Sequence, residues 1–289
     1  MTLEQLRIFV GVAEREHMTA AARALNVTQS AASAAIAALE ERHAVKLFHR
    51  IGRGIALTEA GRLFLVEARG VLARADAAGI VLDELGSMKR GTLRVVASQT
   101  IAAYWLPPIL AKFRERHPAL GIELAIGNTE QAAARVHDGE ADLGIVEGEV
   151  DDPALAHWPI GEDRLLLVGA EPFGGTRIDA VWLRHARWVQ REKGSGTRST
   201  LDGYLLALGV DPDALDVALT LPSNESVRTA VEAGAGIAVL SAMVVAPAIK
   251  AGSLHVGSIA FEPRPFFGLR HKERYRIKAA DALLDLIGS

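Results

Sequence analysis

Residues 19–50 read TAAARALNVTQSAASAAIAALEERHAVKLFHR, and the short break at Asn26, Val27 and Thr28 decides how this part of the chain folds. Asn tolerates the left-handed conformation that ends a helix, Val27 is suited to plug the corner, and the Thr28 hydroxyl can cap the helix that follows. Downstream, Ala32, Ala35, Ile36 and Leu39 recur at the spacing of one buried face, while Ser30, Ser33, Ala34 and Ala37 lie on another. The preceding stretch from Thr19 to Leu25 is equally rich in alanine. Two such helices can approach closely, in the steep crossing of a helix-turn-helix.

Alanine is also a good helix former, and the same pattern would suit one pair of helices in a bundle. The next segment separates the two readings. LFHRIGRGIALTEAG places Arg50 and Arg53 around two glycines, then a β-prone IAL, then Thr58 and Glu59 as a helix start. A glycine-containing loop with two arginines is shaped as a wing that reaches phosphates or a narrow minor groove. From Glu59 to Leu85 a long helix is expected, with Leu63, Val66, Val71, Leu82 and Leu85 among its apolar positions. A helix of that length with nothing to cover it pairs with a copy of itself.

The texture changes near Lys89, Arg90 and Gly91. The first proline is Pro107, and from Thr92 onward short runs such as LRVVA, GIELAIG, ADLGIVEG, RLLLVGA, ARWVQ and GIAVLS alternate with helical stretches. That alternation predicts parallel α/β architecture. The 289 residues exceed the roughly 100 to 200 of a single domain. The chain carries a formal net charge of −3, but residues 1–90 hold 12 Lys+Arg against 10 Asp+Glu, and the remainder 20 against 25. The amino-terminal piece is therefore the phosphate-binding candidate. With no cysteine, disulfides, thiolate zinc sites and a Cys nucleophile are excluded together. No apolar run approaches the roughly 18 residues of a membrane span, and MTLEQLRIFVGVAERE lacks the pattern of an export signal, so a cytoplasmic protein without membrane contact is expected.

The opening LEQLRIFVGVAE, the segment TAAARALNVTQSAASAAIAALEERHAVKLFHR and the LTEAG that follows resemble the LysR-type transcription regulators. GTLRVVASQT, ADLGIVEG, REKGSGTR and the stretch from Glu225 to Leu240 resemble the same family's effector domain. Ser30, Ala34, Ala35 and Ala37 depart from the commonest family pattern, which has proline after the Gln and basic or amide side chains further along. A similar small-residue helix, with IVEG and GSGTR-like motifs, occurs in the sulfite- and sulfur-responsive members. The resemblance implies a winged helix-turn-helix over 1–58, a dimerising linker helix and hinge over 59–90, and a two-lobed effector domain like periplasmic binding proteins over 91–289. Lobe I is expected at 91–160 and 260–289, lobe II at 161–259. It also implies a homodimer or homotetramer on promoter DNA, with RNA polymerase as a further partner.

In a helix-turn-helix the start of the second helix meets base edges in the major groove. Thr28, Gln29, Ser30 and Ser33 occupy that end, with Gln29 able to pair bidentately with adenine. Arg50 and Arg53 are the wing candidates, although surface arginines also pair with neighbouring carboxylates. For the effector, strand ends followed by helix starts present free backbone N–H groups. Ser98, Gln99 and Thr100 follow one strand, Asn128 another, Ser195 and Thr197 a third, and Asn224 a fourth. Taken singly, each fits an ordinary N-cap; their convergence predicts a small anionic effector, an inorganic oxyanion or small carboxylate, with no cofactor or metal. Glu147 and Gly148 at the end of LGIVEG complicate this, since a carboxylate repels an anion. A nearby Arg191, a protonated ligand or a ligand with its own donors would each relieve it.

Two other classes share the two-lobed fold. An enzyme would need a nucleophile, base and orienter, and EKGSGT is neither a G-x-S-x-G elbow nor a P-loop. A transporter's solute-binding protein would need an export signal and has no use for some 90 helical residues in front.

Overall fold

The structure, a computed structural model, describes residues 1–51, 54–85 and 91–288. The chain divides into two compact units, Met1–Met88 with Asp138–Glu140, and Lys89–His137 with Ala141–Ser289.

In the first unit, α1 (Leu3–Arg15), α2 (Met18–Ala24) and α3 (Gln29–His43) precede a hairpin of β1 (Phe48–Ile51) and β2 (Gly54–Leu57), and α4 (Glu59–Leu85) follows. Asn26 takes φ 55°, the left-handed conformation expected of it. The Thr28 hydroxyl then accepts the Ala31 N–H at 3.1 Å and caps α3, so the break is a helix-turn-helix corner. Ala32, Ile36 and Leu39 of α3 are buried with Leu6, Phe9, Val12 and Ala21, and Val27 and Ala35 pack against them half-buried. Small alanines on α2 and α3 allow this close approach; larger residues would overfill the corner. Thr58 closes the wing at its far end: its hydroxyl donates to the Lys46 carbonyl at 2.6 Å and accepts the Gly61 N–H at 3.0 Å. A Cβ on Gly61 would lie 2.2 Å from the Leu47 carbonyl oxygen, so this close start of α4 admits only glycine.

The second unit holds two lobes. Lobe I is a five-stranded sheet with strand order β4-β3-β5-β12-β6. Its strands are β3 (Gly91–Ser98), β4 (Leu120–Gly127), β5 (Leu143–Glu147), β6 (Leu155–Asp163) and β12 (Arg264–His271). β3 runs parallel to β4 and β5, whereas β12 is antiparallel to both β5 and β6. A π-helical turn (Ile101–Trp105) leads into α5 (Leu106–Arg116), and α6 (Thr129–Asp138) and α11 (Lys278–Ile287) complete the lobe.

Lobe II contains β7 (Leu165–Gly169), α7 (Ala180–His185), β8 (Arg187–Arg191), α8 (Gly196–Ala207), β9 (Asp216–Leu221), α9 (Asn224–Glu232), β10 (Ala238–Ser241), α10 (Ala242–Ala251) and β11 (His255–Val256). β10-β7-β11 form one antiparallel sheet and β8-β9 a parallel pair, joined by a bridge between Trp188 and Ile237.

The chain crosses between lobes a few residues later than the sequence suggests. β6 continues to Asp163, whose register partner is Arg264 at the start of β12, and both residues are 3% exposed. Their ion pair at 2.6 Å extends the ladder past Gly161. The lobe I sheet is accordingly mixed rather than purely parallel.

Candidate functional site

The first candidate surface is the start of α3. Thr28, Gln29, Ser30 and Ser33 are all exposed, as are Ala34 and Ala37. Thr28 Oγ1 and Ser30 Oγ stand 3.0 Å apart, so these hydroxyls hold each other at the cap, and Gln29 is free of any such bond among the described residues. Arg50 is exposed on β1; Arg53 lies outside the described residues.

Glu40, which sequence reasoning passed over, anchors this surface from behind. It accepts the Leu47 N–H at 2.8 Å, the Phe48 N–H at 3.2 Å and the Lys46 ammonium at 2.7 Å. Burial pushes its carboxyl up, but those three donors and the Lys46 charge outweigh it and hold it below the usual carboxylate range. The signal was present as a Glu on the Leu39 side of a helix otherwise lined with apolar residues.

The second candidate site lies where the strands of both lobes end. Ser98, Thr100, Asn128, Glu147, Arg191, Ser195, Thr197 and Asn224 are all buried, and Gln99 and Gly148 are half-buried. All but Ser98, Gly148 and Ser195 fall into two clusters. In one, Asn224 at the start of α9 donates its amide to Thr100 Oγ1 at 3.0 Å, gives its backbone N–H to Gln99 Oε1 at 3.0 Å, and accepts from Arg191 Nη1 at 2.5 Å. Arg191 also donates Nε and Nη2 to the two oxygens of Glu192, each at 2.8 Å. Asn128, capping α6 in lobe I, donates its Nδ2 to Glu192 Oε1 at 3.2 Å. Burial raises the Glu192 carboxyl, yet the Arg191 hydrogen bonds and charge, its own backbone N–H and Asn128 together bring it below the ordinary range.

The second cluster centres on Arg264, another residue missing from the sequence-based set. Its guanidinium donates to Thr197 Oγ1 at 3.1 Å and to Asp163 Oδ2 at 2.6 Å, and lies 3.7 Å from Glu147 Oε1. Ser241 donates to the other Asp163 oxygen at 3.0 Å. Glu147 Oε1 has no hydrogen-bond partner among the described residues. The cation facing Glu147 is therefore Arg264, not Arg191, because Arg191 is engaged by its own neighbour.

Backbone contacts stitch the clusters together. Thr129 Oγ1 donates to the Glu147 carbonyl at 2.6 Å. A Cβ on Gly196 would stand 2.2 Å from that same carbonyl oxygen, so glycine alone lets α8 seat against the end of β5. Gly148 takes φ +85° there.

Among the described residues, Ser98 and Ser195 at these strand ends make no capping or hydrogen bond through their hydroxyls. Ser98 is 2% exposed, and its Oγ meets no partner among the described residues. It pairs in register with Gly127, next to Asn128. The α8 N-cap, Ser195, makes no side-chain capping bond. Among the described residues, no cluster of His, Asp and Glu has metal-holding geometry, and no helix is long and apolar enough to cross a membrane.

A helix-turn-helix with a wing, followed by a two-lobed α/β domain with polar strand ends facing one another, defines a ligand-responsive DNA-binding regulator. The sequence matches the bacterial regulatory helix-turn-helix protein, lysR family, over residues 3–62 and the LysR substrate binding domain over residues 86–289. The chain belongs to the LysR family of transcription regulators, as the resemblance implied. It is 32% identical over 289 residues to the uncharacterised HTH-type transcriptional regulator YeiE of Escherichia coli K12, covering 99% of this chain and 96% of that protein. The HTH-type transcriptional regulator CysL of Bacillus subtilis is 33% identical over 248 residues, covering 85% and 82%. Full-length CbnR complexed with its target DNA superposes with TM-score 0.69 at 22% identity, covering 99% of each chain. The regulatory domain of Synechocystis CcmR in complex with 2-PG superposes with TM-score 0.63 at 26% identity, covering 69% of this chain and 96% of that one.

Proposed function

We propose that this regulator binds promoter DNA through Gln29, Ser33 and the wing arginines, and responds to a small anion held between lobes I and II. The observation that carries the effector reading is the buried Ser98 hydroxyl, without a partner among the described residues, at the end of the strand paired in register with Gly127 and within the same set of strand ends as the uncapped α8. An anion accepts from such donors and from the positive end of a helix, whereas a neutral apolar ligand leaves them unpaired. Thr100, Thr197 and Asn224 shape the same walls. The chain acts in the cytoplasm as a homodimer or homotetramer, performs no catalysis of its own, and meets RNA polymerase when seated at a promoter.

The CcmR complex with 2-PG supports the effector reading by analogy, since that ligand occupies a regulatory domain of the same fold. The test is a thermal-shift screen of sulfate, sulfite, inorganic phosphate and small carboxylates, followed by gel shift on the chain's own promoter region. An anion of this set is expected to raise Tm by mass action and to alter the DNA complex. Absence of a Tm response to every anion would remove the effector reading and leave the DNA-binding one.

A further inference from the structure

Arg191 and Glu192 are neighbours in sequence, and neighbours on a strand point to opposite faces. Here β8 ends at Arg191 and the chain turns, so the Glu192 carboxylate comes back to meet the guanidinium with both oxygens. The two partners are held very differently. The Arg191 side chain is 3% exposed and is further fixed by Asn224, whereas the Glu192 side chain is 26% exposed and has water within reach. A buried guanidinium without a counter-charge is costly, so some carboxylate or other anion must always accompany Arg191. Glu192 fills that place, and through Asn128 it also ties lobe II to lobe I.

We propose that the Glu192 carboxylate is a tethered occupant of the anion-binding position formed by Arg191 and Asn128, and that an effector anion enters by displacing it. The proposal rests on the anionic-effector reading above and narrows the ligand class. Nε and Nη2 of Arg191 are each satisfied by a separate oxygen of Glu192, so the displacing group needs two oxygens side by side, as in a carboxylate or tetrahedral oxyanion. A spherical halide cannot reproduce that pairing. Charge balance is preserved throughout, because one anion replaces another beside the same cation. Exchange costs no backbone movement: Glu192 swings into solvent by rotation of its own side chain, and the Asn128 amide passes from Glu192 to the ligand. The Ser98 hydroxyl, without a partner among the described residues and on the strand that pairs with Gly127, is a further donor that Glu192 does not use. Glu192 remains ionised at neutral pH, since its carboxyl lies below the ordinary range, so the competition operates under working conditions.

An internal competitor lowers apparent affinity by the fraction of time it holds the site. Removing it should therefore tighten binding. The test compares full-length wild type with Glu192→Ala by calorimetry, using acetate, inorganic phosphate and sulfate as probes and chloride as the halide control. Acetate is expected to bind Glu192→Ala at least tenfold more tightly than wild type, one per chain, with chloride showing no such gain. Adding Asn128→Ala to that variant is expected to reverse the gain. Should Glu192→Ala fail to fold, Glu192→Gln keeps the side-chain volume and removes the charge, and it is expected to gain affinity in the same direction. Equal affinity of wild type and variant for the probes would overturn the tether while leaving the anionic-effector reading intact. No binding of any probe to either protein would overturn both.

Discussion

The Glu40 carboxylate, on the buried side of α3, accepts the backbone N–H of Leu47 at 2.8 Å and so joins the recognition helix to the strand that leads into the wing. Glu40→Ala leaves that buried N–H, and the Phe48 N–H beside it, without an acceptor. An unsatisfied buried donor costs about 1 to 3 kcal/mol. The variant should therefore exchange its Leu47 amide proton at least about tenfold faster than wild type, and bind operator DNA more weakly. Wild-type exchange at Leu47 in the variant would show that the contact contributes nothing to the hairpin's position.

The same residue sets an acid limit on this unit. Although burial alone would raise the Glu40 carboxyl, Lys46 and the two backbone donors lower it in the folded chain. A carboxyl depressed by folding contributes stability that is fully present above its unfolded value of about 4.3 and is lost as pH falls through the lower folded value. Thermal unfolding followed between neutral pH and pH of about 3 should show a loss below that point which is smaller in Glu40→Gln than in wild type. Identical pH profiles for both proteins would count against the assignment.

At the proposed DNA surface, the Gln29 side chain is exposed and makes no hydrogen bond among the described residues, whereas the Thr28 and Ser30 hydroxyls face each other. Gln29→Ala should cost about 1 to 3 kcal/mol at the cognate site and little on scrambled duplex, because a base contact carries sequence information and a phosphate contact does not. Gel shift on both duplexes measures the difference. Equal losses on the two would place Gln29 at the backbone instead of the bases.

Much of the fold could be read from local pattern. The helix-turn-helix rests on Asn26, Thr28 and the period of Ala32, Ile36 and Leu39, all close in sequence and each with a single physical role. The parallel strands ending at Ser98, Gly127, Glu147 and Arg191 were likewise visible as apolar runs before helix starts. β6 and β12 were not, because Pro159 and Pro265 interrupt them and proline reads as a break in a strand; β6 is an edge strand and Pro265 stands near the start of β12, where proline is tolerated. Losing those strands concealed Arg264, whose ion pair with Asp163 spans 101 positions of sequence. The Glu192 contact escaped for the opposite reason: its partner is adjacent, and strand alternation argues against neighbours meeting.

Ser98 offers a clean probe of the proposed anion site. Its buried hydroxyl has no hydrogen-bond partner among the described residues, so Ser98→Ala removes no internal bond. Thr100→Val, by contrast, would strand the Asn224 amide that bonds to it. Ser98→Ala should therefore be at least as stable as wild type, because an unpaired buried hydroxyl costs about 1 to 3 kcal/mol. Its affinity for the stabilising anion should fall by about 1.5 to 3 kcal/mol if the hydroxyl donates to a charged ligand. Calorimetry on the folded variant separates the two quantities, and unchanged affinity would move the anion away from the end of β3.

The long helix α4 has apolar residues on more than one side, and the first unit covers only part of them. Phe64, Leu65, Ala68 and Leu72 pack on the core formed by α1 to α3. Leu63, Val66, Val71 and Leu82 are 65%, 49%, 43% and 70% exposed. At about 100° per residue Leu63 and Val66 lie about 60° apart and away from the packed stripe, whereas Val71 and Leu82 fall at the edge of that stripe marked by Phe64. Scattered exposed apolar residues need no explanation, but several along one helix do. The homodimer proposed above would place a second copy of α4 against Leu63 and Val66. Leu63→Glu with Val66→Glu places like charges against each other across a two-fold contact, while on a monomer both side chains would stand in water at little cost. The double variant should therefore sediment as a smaller species than wild type with its Tm little changed. Its affinity for a two-half-site operator should fall by about a hundredfold or more, since linked binding of two modules is lost. Affinity for an isolated half-site should stay near that of wild type, because the surface around Gln29 is untouched. Equal sedimentation of variant and wild type as a monomer at micromolar concentration would mean that this face of α4 serves another partner.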